Sequence, residues 1–82
     1  MNYKNVYYNK KVTGNKIRKL REKNYISQPE LAPNLGIDTH LLNEIEEGNK
    51  DLNMISYVRL IKYFRLTPEE AIEIILTTNK EK

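Results

Sequence analysis

The chain has 82 residues, no cysteine and a net charge of +3, which allows one small domain with a core near the lower limit for folding alone. Without thiols there are no disulfides and no cysteine metal site, and a lone histidine, His40, cannot assemble a metal site either. No stretch approaches a membrane span, and MNYKNVYYNKKV lacks the apolar run of a signal peptide, so the expectation is a cytoplasmic protein without membrane contact.

The charge is unevenly placed. Residues 1–26 hold eight Lys/Arg against one acid, and residues 27–58 hold one base against six acids. Residues 59–82 are mixed, with five bases and four acids. Single-sign blocks mark partner surfaces, whereas mixed charge coats solvated helix faces.

Residues 1–13 are polar and Tyr-rich, with Tyr3, Tyr7 and Tyr8 among lysines, and are expected to form an N-terminal arm. Val6 and its neighbours could make a short strand, but the alternation is poor. One domain is expected over residues 14–78. From Gly14 the pattern turns helical, with Ile17 and Leu20 at i and i+3 and bases on the other faces. Asn24 is the expected left-handed stop.

Ser27 with Glu30 reads as a capping box, and Pro29 sits in the first turn of a second helix, where its missing N–H costs little. Pro33 removes one helical hydrogen bond, so this helix should be short or distorted. Gly36 makes the turn, and Asp38 caps a third helix from Thr39 to about Glu47, ended by Gly48. Asn53 caps a fourth helix, MISYVRLIKYF, whose apolar residues spread round most of its circumference and predict a central position. Thr67, Pro68 and Glu70 start a fifth helix that frays in TTNKEK. The fold class is therefore all-α, with five short helices.

Residues 28–47 carry the spacing of a helix-turn-helix. Counted from Gln28, Leu31, Ala32, Leu35, Gly36, Ile37, Leu42 and Ile45 fall at positions 4, 5, 8, 9, 10, 15 and 18. Ala32 is small where two helices cross, Gly36 tolerates a positive φ, and the others are apolar packing residues. With GNKIRKLREKNYISQPELA before it and EEGNKDLNMISYVRLIKYFRLTPEEA after it, the segment resembles the Cro/repressor-type helix-turn-helix family, often called Xre. The likeness runs without a gap from Gly14 to about Ala71. It implies a five-helix lambda-repressor-like domain that binds double-stranded operator DNA as a symmetric dimer. It also implies that Glu46 pairs with Arg21. Pro33, Arg65 and a third helix without Lys or Arg depart from the family pattern.

From Ile26 to Asn49 there are five acids and no base. Asp38 is accounted for as a cap, Glu30 by its capping box, and Glu46 by Arg21. That leaves Glu44 and Glu47 on the face shared with Thr39, His40 and Asn43. Asn can take adenine bidentately, Glu can accept from cytosine N4, and Thr can meet a thymine methyl. Candidate phosphate contacts are Gln28, Asn49, Lys50, Lys16 and Lys19, with Lys4, Lys10 and Lys11 in the arm. The reading is a sequence-specific DNA-binding transcriptional regulator, a repressor of bacterial, phage or mobile-element origin. The alternative is a protein-interaction module, anti-repressor or antitoxin-like, whose acidic third helix grips a basic protein partner. No nucleophile–base pair or phosphate-binding glycine loop is present, so no enzyme and no cofactor is expected.

A homodimer through the C-terminal helix is expected. Ala71, Ile72, Ile74, Ile75 and Leu76 span an arc of about 200°, and one core face needs roughly 100°. The surplus, Ile74 or Leu76, should meet a symmetry mate, with the N-terminal tyrosines as a competing surface.

Overall fold

Each of five polar side chains closes the open N–H groups at the start of a helix, and these caps set the element order. In the computed structural model, which describes residues 6–78, Asn9 caps α1 (Lys10–Lys23), Ser27 caps α2 (Gln28–Asn34) and Asp38 caps α3 (Thr39–Glu46). Asn53 caps α4 (Met54–Phe64) and Thr67 caps α5 (Pro68–Ile75). Two short strands, β1 (Val6–Tyr7) and β2 (Thr77–Thr78), pair antiparallel, Val6 opposite Thr78 and Tyr7 opposite Thr77.

The all-α class with five helices is the one expected, but the ends differ. α1 begins at Lys10 rather than Gly14, because the Asn9 side chain accepts from the backbone N–H groups of Lys11 and Val12. Lys10 and Lys11 therefore belong to a helix and not to an arm. Thr77 and Thr78 extend rather than fray, since β1 gives them a partner strand. Tyr3, Lys4 and the terminal NKEK lie outside the described residues.

The Thr67–Glu70 capping box is complete in both directions. At Ser27 only half of the expected box forms: its hydroxyl accepts from the Glu30 N–H at 3.2 Å, and the Glu30 carboxylate does not return to it. α2 is short, as Pro33 implied, and runs to Asn34.

Ile17 of α1, Leu31 and Ala32 of α2, Leu35 just after α2, Leu42 and Ile45 of α3, Leu60 of α4 and Ile74 of α5 make the core. Five of the seven positions of the helix-turn-helix frame are thus fully buried. Gly14 lies inside α1, where α1 crosses α3. A Cβ there would overlap the Ile45 carbonyl oxygen and stand 3.1 Å from that of Glu46. Gly36 takes φ 76° in the α2–α3 turn, as expected, and the Arg59 guanidinium lies over it. The Ser56 hydroxyl donates to the Leu35 carbonyl at 2.8 Å, which satisfies a buried backbone group beside that turn.

α4 is not central. Met54, Ile55 and Val58 face solvent, and only Ser56 and Leu60 are buried. A domain this small has no second layer to cover the outer side. Tyr57 anchors the helix by donating to the Ala71 carbonyl, and partial burial raises its phenol pKa. On α5 the surplus apolar residue is Ile72, 45% exposed, rather than Ile74, which is 7% exposed and in the core, or the half-buried Leu76.

The left-handed residue after α1 is Tyr25 (φ 58°), not Asn24 (φ −97°). Asn24 closes the helix instead, its Nδ2 donating to the Leu20 carbonyl at 2.7 Å, and the left-handed position falls one residue later. Arg65 (φ 53°) does the same after α4. For a residue with a Cβ this conformation costs roughly 1–2 kcal/mol.

Candidate nucleic-acid interface

α3 buries Leu42, Ile45 and Glu46 and turns the opposite side outward. Residues spaced i, i+1, i+4 and i+5 share one side of a helix, so Thr39, His40, Asn43 and Glu44 form a two-turn outer stripe. His40 is exposed, and Thr39, Asn43 and Glu44 are half-buried. Gln28, the first residue of α2, reaches this stripe: its Nε2 donates to Asn43 Oδ1 at 3.2 Å and to Glu46 Oε1 at 2.9 Å. One of the two lone pairs of the Asn43 amide oxygen is thereby engaged within the chain.

Two arginines of α1 determine the charge of α3. Arg21 Nε donates to Glu46 Oε2 at 2.7 Å and Arg21 Nη2 donates to Glu46 Oε1 at 2.9 Å, a bidentate pair on a carboxylate with no exposed surface. This is the pairing expected of Glu46. The hydrogen bond to Glu46 raises the Arg21 pKa further. Arg18, which sequence reasoning did not single out, lies 3.6 Å from Glu46 Oε1 through Nε, and its Nη2 donates to Glu47 Oε2 at 2.9 Å. Glu47 is therefore held toward α1 instead of standing free beside Glu44. Among the described residues Glu44 is the one acid of α3 with neither an ion pair nor a capping role. No spacing in the sequence points to Arg18, because its partner Glu47 lies 29 positions away on another helix.

The expected phosphate contacts divide into two groups. Asn49 and Lys50 are exposed just beyond α3, with the Asn49 N–H closing the helix on the Glu44 carbonyl at 2.9 Å. Lys11 joins them, since its backbone passes so close to Gly48 that a Cβ there would stand 2.8 Å from Lys11 Cα. Lys16 and Lys19 stand on the α5 side of α1 instead. Lys16 Nζ donates to the Glu73 carbonyl at 2.7 Å, the Leu76 carbonyl at 2.8 Å and Glu73 Oε2 at 3.1 Å, so it caps the C-terminus of α5. Lys19 lines the same α1–α5 cleft, opposite Glu69, Glu70 and Glu73. The reason is helical phase: residues 14, 17, 18 and 21 face α3, and 16, 19, 20 and 23 fall on another side.

Among the described residues no group of three or more His, Asp or Glu side chains could hold a metal ion. No helix there is long and apolar enough to cross a membrane.

No family model and no curated protein sequence matches the chain. Among solved structures it is similar to the restriction-modification controller protein C.AhdI from Aeromonas hydrophila, with a TM-score of 0.66 at 24% identity. The match covers 74% of this chain and 92% of that one. The fold implied by the Cro/repressor-type resemblance is the fold found: a five-helix domain with a helix-turn-helix at α2–α3, shared with a controller protein.

Proposed function

We propose that this chain is a sequence-specific DNA-binding transcriptional regulator of repressor type that acts as a homodimer, with α3 in the major groove. The observation that carries this reading is the outer stripe of Thr39, His40, Asn43 and Glu44, with Gln28 braced against it and the neighbouring acids neutralised by Arg18 and Arg21. Thr39, His40, Asn43 and Glu44 read base edges, and Gln28, Asn49, Lys50 and Lys11 approach phosphates. Lys16 and Lys19 leave the proposed contact set, being turned to α5. C.AhdI is by its name a controller of restriction-modification, and a regulatory role of that general kind suits this chain. The protein-interaction alternative needs an acidic α3, and two of its acids are tied to arginines of the same chain. Dimerisation would use the uncovered apolar side chains Ile72 of α5 and Met54, Ile55 and Val58 of α4.

Fluorescence anisotropy with a random duplex and with sequences selected from a random pool tests this, alongside sedimentation at tens of micromolar protein. The expected result is a dimer that binds the random duplex at low salt and loses it steeply as salt rises. Asn43→Ala should weaken the selected site by about 1–3 kcal/mol and leave random DNA nearly unaffected. Lys50→Ala should weaken every sequence alike and lower the salt slope by about one unit. A wild type that ignores duplex DNA at low ionic strength would sink the proposal and promote the interaction module.

A further inference from the structure

We infer that Tyr25 is a sequence-independent contact to the DNA sugar–phosphate backbone, beside the groove that α3 enters; this rests on the DNA-binding reading above. Tyr25 is 95% exposed, so its ring gains almost no packing in the folded chain. It also holds a left-handed φ of 58°, a conformation that glycine or asparagine adopts with less strain. Asn24, the adjacent residue, is of the type that suits such a position, yet the tyrosine occupies it. Strain retained without packing in return points to a use outside the monomer.

The backbone at this residue is held in place, just before the start of α2. The Tyr25 N–H donates to the Glu22 carbonyl at 3.0 Å, and the Ile26 N–H donates to the Arg21 carbonyl at 3.1 Å. Arg21 Nη1 in turn donates to the Ile26 carbonyl at 2.9 Å, while the same guanidinium grips Glu46 of α3. Two residues past Ile26, Gln28 holds Asn43 of the outer stripe. The backbone that carries Tyr25 is thus tied through Arg21 and Gln28 to the helix that reads bases, while the exposed ring is free to settle against a partner. A phenol suits a phosphate flank chemically: the hydroxyl donates to a phosphate oxygen while the flat ring lies against deoxyribose. It brings no charge, so it releases no counterion.

Tyr25→Gly and Tyr25→Phe in the full chain test this against the wild type. Tyr25→Gly relieves the strain, and its melting temperature should rise by about 4 °C. Its affinity should fall about fivefold per protomer on selected and random duplexes alike. The salt slope should stay that of the wild type, which separates this contact from a lysine's. Tyr25→Phe keeps the ring and should lose the hydroxyl's share of the affinity. If Tyr25→Gly binds every duplex as the wild type does, the inference is overturned while the DNA-binding reading stands. A Tyr25→Gly chain that loses its dimer, with monomer–DNA contact unchanged, would likewise overturn it in favour of a protein contact. If the wild type binds no duplex, both fall together.

Discussion

Removing Arg21 leaves a carboxylate buried without its main partner. In Arg21→Met, Glu46 loses hydrogen bonds of 2.7 and 2.9 Å, and the Ile26 carbonyl loses a donor at 2.9 Å. The Glu46 side chain has no exposed surface, so water cannot replace them. It keeps Gln28 at 2.9 Å and the Arg18 Nε at 3.6 Å, which soften the loss. The cost should therefore sit near the low end of that for breaking a buried pair, about 3 kcal/mol. A domain of this length is expected to have a total stability of about 4–12 kcal/mol, so the change removes a large part of it. The melting temperature should drop by roughly 12–24 °C. Glu46→Met should cost a similar amount, because the guanidinium is then the unpaired group. The double variant replaces both charges with apolar side chains and should lose about 2 kcal/mol less than the two single losses added together. Urea unfolding of the four proteins measures this coupling. Single losses that simply add, within about 0.5 kcal/mol, would refute the claim that this pair joins α1 to α3.

Two further outcomes follow from single sites. Gly14→Ala should destabilise the chain by about 2 kcal/mol, because overpacking against the Ile45 carbonyl, at the upper end of about 3 kcal/mol for a 2.0 Å approach, outweighs the roughly 1 kcal/mol by which alanine favours a helix. Thermal melting checks it, and an alanine variant as stable as the wild type would mean that α1 and α3 do not touch there. The Tyr8 phenol is pushed up to about 12 by partial burial and by donating to Asp51 at 2.6 Å. Its folded pKa is raised, so its stabilising contribution is whole below pH 10 and is lost as pH rises through about 12. In Tyr8→Phe the tyrosinate absorbance step near pH 12 should shrink by one tyrosine, and an unchanged step would remove this reading.

What the sequence made legible was whatever depends on near neighbours in the chain. Asp38, Asn53 and the Thr67–Glu70 box act within three residues, and each caps its helix as expected. Leu31, Ala32, Leu42 and Ile45 were visible through their fixed spacing in the helix-turn-helix frame. Expectations failed where a distant partner decides. Lys16 looked like any basic residue on a helix face until α5 placed three oxygens around its ammonium. Thr77 and Thr78 had no strand character without Val6 and Tyr7 opposite them. Glu47 looked free because Arg18, 29 positions earlier, is not its neighbour in sequence. The apolar circumference of α4 was read as burial, but the pattern cannot say how many layers the domain has to cover it.

The pairing of β1 with β2 also has a mechanical consequence. Val6 lies opposite Thr78, and the two strands run antiparallel, so both chain ends leave the ribbon on the same side. Tension applied between the ends would peel this ladder one rung at a time instead of shearing it. A two-residue ribbon gives little resistance in that geometry. The load would pass next to α1 and α5, where the Lys16 ammonium bridges the two helices through the carbonyls of Glu73 and Leu76. That side chain is then one of the ties that bear the load between α1 and α5, beside the burial of Ile74 in the core. A variant without it, such as Lys16→Met, would open at lower tension while its folded helices stay the same.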